Sequence, residues 1–244
     1  PRPQKLWLLD LQTRDRHELG MAMLPGLDVD PLSDLKEKQG ITPHDADTPR
    51  TVTFDRVVWH PQGGRALVQV HAIDNKDRWT LRFDAAAQEF TLLEHLDAPA
   101  WVNWQWNELA WIPDHDRAWW LSESAGYSHL YSGSGTGDAV QHTSGTYEVS
   151  QVTWLPGTQS ILLLANRSHP TEYDIYRLDL ESGDLSRLTE LLGVEDFAAH
   201  PRGERVLLRY SRSYRPSQAA VVNLSSGALS LATDTISEAY RAIE

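Results

Sequence analysis

A hydrolytic serine needs a sharp strand-to-helix turn, written Gly-x-Ser-x-Gly, because only small flanking residues let the chain bend and expose the hydroxyl. No serine in this chain has glycine on both sides at that spacing: Ser128 follows Gly126 but is followed at the same distance by Leu130. His129 stands near Ser122 and Glu123, but Leu130 and Tyr131 continue an apolar strand, so a structural role is expected for the imidazole. The run Ser-Gly-Ser-Gly-Thr-Gly-Asp at 132–138 has the glycines of a phosphate loop without its lysine, and reads as a hairpin tip. His44, Asp45 and Asp47 are the only dense set of metal-type donors, and such a loop is ordinarily just solvated. No catalytic residue, cofactor or metal is therefore expected. What remains is Ala-Trp-Val-Asn-Trp-Gln-Trp-Asn-Glu at 100–108, in which Trp101, Trp104 and Trp106 flank Gln105. Indoles on a cleft wall would stack on proline or apolar side chains; the alternative is that all three are packed in a core.

The elements that must carry these residues announce themselves by repetition. An aromatic or apolar pair precedes a Pro-centred turn, and an apolar run follows. The copies are Val58-Trp59-His60-Pro61, Ala110-Trp111-Ile112-Pro113, Thr153-Trp154-Leu155-Pro156 and Phe197-Ala198-Ala199-His200-Pro201. The prolines lie 52, 43 and 45 residues apart. That period, with several short strands in each repeat, predicts an all-β chain of β-propeller blades. Each copy continues into a second hairpin of period-two alternation, as in Tyr173–Leu180 turning at Glu181-Ser182-Gly183-Asp184 into Leu185–Thr189. Four-stranded antiparallel blades are expected at about 51–95, 106–143, 150–190 and 195–233. Residues 5–20 supply only the outer hairpin of another blade, with an unpaired edge. Residues 21–50, rich in Pro, Asp and Gly, form an insertion that is either solvated or functional. Four blades close a ring poorly, so the chain is expected to be an internal piece of a single, partial propeller domain.

Composition bounds the partners. With 34 acidic against 22 basic residues and a net charge of −12, a nucleic-acid backbone or an anionic membrane is a poor main partner. Zero Cys excludes disulfides, thiolate catalysis and Cys-ligated metals. No stretch approaches the roughly 20 apolar residues of a membrane helix. Ten Trp in 244 residues favour stacked sheets.

The repeat phrases at 174–189 and 200–210 resemble Tol-type and tricorn-type propellers. The phrase Trp-Trp-Leu-Ser-Glu-Ser-Ala-Gly-Tyr-Ser-His-Leu-Tyr at 119–131 is more specific. It resembles the propeller of dipeptidyl peptidase IV-like members of the prolyl oligopeptidase family, and the segments at 70–84, 98–104, 142–152 and 168–180 follow in that family's order. The resemblance implies the later blades of a propeller that covers the cavity of an α/β-hydrolase domain in the same parent chain and admits short peptides. It also implies serine peptidase activity in the parent, a possible homodimer, a periplasmic location, and a crossover towards the hydrolase at 234–244. The family's acidic pair for the peptide amino group falls on no residue here. By resemblance Trp101, Trp104, Gln105 and Trp106 lie near the substrate, with Trp and Gln where relatives place basic residues. The rival expectation is a stand-alone Tol-like propeller that scaffolds another protein; a third is the propeller of an oligopeptidase or acyl-peptide hydrolase.

Overall fold

The computed structural model describes residues 4–43, 48–98, 100–113 and 115–242. The metal-type donors His44, Asp45 and Asp47 lie outside these described residues. The regular structure is one two-stranded and four four-stranded sheets, in which every strand neighbours the one before it in sequence. The two-stranded sheet joins β1 (Leu6–Leu9) to β2 (Arg16–Leu19). The first complete sheet holds β3 (Val52–Trp59), β4 (Arg65–Ala72), β5 (Asp77–Asp84) and β6 (Glu89–Asp97). The second holds β7 (Leu109–Trp111), β8 (Ala118–Ser122), β9 (His129–Gly133) and β10 (Val140–Gln141). The third is β11 (Val149–Trp154), β12 (Ser160–His169), β13 (Glu172–Asp179) and β14 (Leu185–Arg187). The fourth is β15 (Val194–Ala199), β16 (Arg205–Arg212), β17 (Arg215–Asn223) and β18 (Leu229–Leu231). Two short helices, α1 (Ser33–Lys38) and α2 (Glu238–Arg241), complete the secondary structure.

Turn chemistry explains the repetition. In His60-Pro61-Gln62-Gly63 the glycine N–H donates to the His60 carbonyl (2.8 Å) and the Gln62 N–H to the His60 ring (3.2 Å). His200-Pro201-Arg202-Gly203 repeats both bonds at 2.7 and 3.2 Å. Proline presets the first turn residue, and glycine takes the left-handed position that closes it. The outer hairpins share a second device. Asp10, Asp84, Asp179 and Asn223 each accept two backbone N–H bonds from the turn that follows. Those bonds, led by Thr13, Ala87 and Ser182 respectively, hold the three aspartates below the ordinary carboxylate value.

The chain divides into two compact units, Pro1–Trp104 with Leu109–Trp120 and Ser132–Val140, and Gln105–Glu108 with Leu121–Tyr131 and Gln141–Glu244. In the first unit, Leu6, Leu8 and Leu19 of the hairpin pack on Val68, Val70, Trp79 and Leu81. The insertion is not simply solvated. Leu24 and Leu27 are buried in the same cluster, Trp79 Nε1 donates to the Pro25 carbonyl (3.1 Å), and Arg50 is buried. Its apolar and guanidinium anchors tie both ends to the first complete sheet, while α1 buries no residue.

In the second unit, Leu162, Leu164 and Ile175 of the third sheet meet Phe197, Val206, Leu208 and Tyr210 of the fourth. Residues Ser160–Ala165 of β12 are buried without a break, the mark of a strand covered on both faces. In β16 burial alternates, with Val206, Leu208 and Tyr210 inside and Leu207 half exposed. Gln151 bridges the two sheets: its Nε2 donates to the Phe197 carbonyl (2.8 Å) and its Oε1 accepts the Phe197 N–H (3.3 Å). Glu108 receives the Val152 N–H in the same way (3.2 Å). Both acceptors stand five residues before their Pro turn, and both donors four before theirs.

Candidate functional site

The inner strands of three sheets carry a bulge at one repeat position. The register slips between Phe54 and Arg56, between Val149 and Gln151, and between Val194 and Asp196. The extra residues, Asp55, Ser150 and Glu195, each stand six before the proline of their turn. A bulge leaves its residue out of the ladder and re-aims its side chain, a device common beside functional sites.

In the second unit Ser150 and Glu195 line an open cavity of about 940 Å3. Gln105 and Trp106 form part of its wall, with Glu108, Glu172, Tyr173 and Tyr214. The carboxylates differ in what holds them. Glu108 is bonded to the Val152 N–H, and Glu195 pairs with Arg209 (2.9 Å) and accepts from the Ser217 hydroxyl (3.2 Å). The side chain of Glu172 makes no hydrogen bond or ion pair to another described residue. Burial, and secondarily Glu148, pushes the Tyr173 phenol up, so it stays a neutral hydroxyl. The connection entering β15 is a strained wall. Leu192 sits at φ +58°, in the left-handed region that bulky residues avoid, and Gly193 lies against the Ser211 carbonyl. Arg212 Nε and Nη2 donate to the Leu191 carbonyl (3.1 and 3.0 Å), fixing that wall.

The four residues singled out in sequence do not stay together. Gln105 and Trp106 meet at the cavity of the second unit. Trp104 belongs to the first unit, where its Nε1 donates to Asn75 Oδ1 (3.0 Å) and its ring lies 4.1 Å from the His71 imidazole. His71 in turn bonds the bulge residue Asp55 (2.5 Å). Trp101 is 70% exposed. Trp104 and Trp106 are half-buried, and none of the three indoles is among the fully buried core residues. Glu172, Tyr173, Leu192, Gly193 and Tyr214 were not picked out in sequence; the six-before-proline spacing of Ser150 and Glu195 was the available signal for this rim.

The other candidate chemistry is structural. His129 is buried, its Nε2–H donates to the Gly145 carbonyl (3.1 Å) and its Nδ1 meets the Thr143 hydroxyl (3.1 Å). Both ring nitrogens are used, and burial holds its pKa below the ordinary histidine value. The glycine-rich run is the tip between β9 and β10. Asp138 accepts the N–H groups of Ser134 and Gly135 and the Ser134 hydroxyl (2.7–3.0 Å), so an internal carboxylate occupies the place a phosphate would need. Among the described residues no group of three His, Cys, Asp or Glu could hold a metal ion, and no helix is long and apolar enough to cross a membrane.

The model of the dipeptidyl peptidase IV (DPP IV) N-terminal region matches residues 29–217. The chain belongs to that family. No curated protein matches the sequence. Among solved structures it is similar to dipeptidyl peptidase 4 of Porphyromonas gingivalis, at 15% identity and a TM-score of 0.70, over 98% of this chain and 30% of that one. A putative dipeptidyl aminopeptidase IV from Bacteroides ovatus gives 14% and 0.69, over 94% and 32%. TolB from Acinetobacter baumannii gives 15% and 0.53, over 95% and 65%. At these identities the likeness shows the fold: an all-β, partial propeller. This DPP IV N-terminal chain spans about a third of the length of the two peptidase structures.

Removing either indole of the Trp104–Trp106 pair is a sharp test of place. Trp106→Ala is expected to leave the melting temperature nearly unchanged, because its half-buried indole lines the open cavity. Trp104→Ala is expected to lower the melting temperature modestly, because it also removes the Asn75 bond and the His71 contact. A large melting drop for Trp106→Ala would show a core residue and remove it from the site.

Proposed function

We propose that this DPP IV N-terminal region chain is the later, non-catalytic part of the propeller of a dipeptidyl peptidase-like serine exopeptidase. In this reading it covers the cavity of an α/β-hydrolase domain of the same parent chain and helps admit and position short peptides. Residues 234–244 lead towards that domain, and a periplasmic location accompanies the family reading. The observation that carries it is the cavity with Trp106 and Gln105 on the bulged rim of a chain whose family is the DPP IV N-terminal region. Trp101 and Trp104 are proposed as further peptide contacts in the parent.

The chain by itself should not cleave a chromogenic Xaa-Pro dipeptide substrate, and no serine should label with a fluorophosphonate. A serine without the nucleophile elbow has neither exposure nor an oxyanion hole. Stoichiometric labelling of one serine would overturn this. The likeness to TolB, which extends over 65% of that chain, keeps a second reading in play: a scaffold that binds another protein. The reading frame of the parent gene separates the two. A Gly-x-Ser-x-Gly downstream of Glu244 supports the peptidase, and a stop codon soon after it supports the scaffold.

A further inference from the structure

We propose that the cavity of the second unit takes the cationic side chain of a bound peptide, a lysine or an arginine, with Glu172 as its counter-charge. The proposal rests on the peptide-handling role above and adds a specificity to it. Three flat rings, Trp106, Tyr173 and Tyr214, share the cavity lining with Glu172. Rings of this kind attract a cation over their faces and pack the aliphatic stem that carries it.

The other charged side chains of the lining are already engaged in hydrogen bonds or an ion pair. Glu195 faces Arg209, Glu108 receives the Val152 N–H, and both nitrogens of Arg212 that make bonds turn into the wall at the Leu191 carbonyl. The Glu172 carboxylate is left without a bond from any described residue, at a half-buried position where an apolar ligand would strip its water. A purely apolar occupant is therefore disfavoured. A divalent cation would need several oxygen ligands, and one uncommitted carboxylate does not supply them. The net charge of −12 favours approach of a basic peptide and opposes an acidic one.

Calorimetric titration of the 244-residue chain with acetylated, amidated Ala-X-Ala peptides tests this. With X as Lys or Arg, binding should be about five- to tenfold tighter than with Leu, and Glu should bind weakest. Glu172→Gln should erase the Lys-over-Leu preference and leave the Leu peptide's affinity unchanged. The wild-type preference should also shrink between low and high salt, a readout that does not depend on the variant folding. Equal affinity for Lys and Leu would overturn the proposal, and so would a preference for uncapped Ala-Leu-Ala over the capped Lys peptide, which would point to a terminal amine instead. If no peptide of any charge binds to the folded chain, the peptide-handling reading of this cavity falls as well.

Discussion

Replacing Arg50 with alanine is expected to cost the first unit about 3–5 kcal/mol, the range for breaking a buried ion pair from one side. The Arg50 guanidinium bonds Asp74 through Nε (3.0 Å) and Nη2 (2.7 Å), Asp77 (2.6 Å) and the Gly26 carbonyl (3.0 Å). It is itself buried, as is Asp77, whose other oxygen meets His95 Nε2 (2.7 Å). Without the arginine, Asp77 is a buried carboxylate with one partner, and the end of the insertion loses its tether. Acid should uncover the same network. Burial raises the Asp77 pKa, but the bonds and charges of His95 and Arg50 outweigh it and hold the carboxyl below its ordinary value. A depressed carboxyl stabilises the fold above its unfolded value, near pH 4, and that contribution is lost as pH falls through the folded value. Denaturant melts from pH 7 to 2.5 should therefore show wild-type stability falling from about pH 4 downward, with a shallower fall in Arg50→Ala. A variant that melts within a degree of wild type at pH 7 would show the network to be dispensable.

Gly193→Ala should be nearly as damaging to the second unit, by about 3 kcal/mol. A methyl group there would sit 2.1 Å from the Ser211 carbonyl oxygen, inside any real contact distance. The obstacle is backbone, so no rotamer change relieves it. The Gly193 carbonyl also receives the Ser211 N–H (3.0 Å), and the strands would have to part to admit the new atom. Gly135→Ala is the matched control: nothing lies within 4 Å of its added carbon, and its melt should match wild type. The cavity wall that Gly193 lines should deform with Gly193→Ala, and the melting temperature should fall. An unchanged melting temperature would mean that the connection into β15 can move aside at little cost.

Much of the architecture was legible because its signals are local. The His-Pro-x-Gly turns, the Asx-capped outer hairpins and the period-two strands each lie within a few consecutive residues, and they mark the strands at the hairpin and in all four complete sheets. Other features were not legible. Trp59 and Trp111 occupy the same repeat position, yet Trp59 is half exposed while Trp111 is buried, with its indole donating to the Val58 carbonyl (3.0 Å). No local pattern tells these two apart, since the Val58 carbonyl and the His60 ring that meet the Trp111 indole come from more than 50 residues earlier in the chain. Likewise the insertion reads as a polar loop by composition, and its anchors depend on Asp74, Asp77 and the Pro25 carbonyl being brought to Arg50 and Trp79.

Sequence alone determined the β-sheet repeat, the absence of a nucleophile elbow and the resemblance to the dipeptidyl peptidase IV propeller, because each is written in residue types at short, fixed spacings. Tertiary structure alone decided where the tryptophan loop goes: Gln105 and Trp106 join a cavity with Ser150, Glu172, Glu195 and Tyr214, while Trp104 settles on His71. Residues up to 109 positions apart meet there, and only sheet packing and the bulges, which turn a strand's side chains by one register step, fix which of them share a wall.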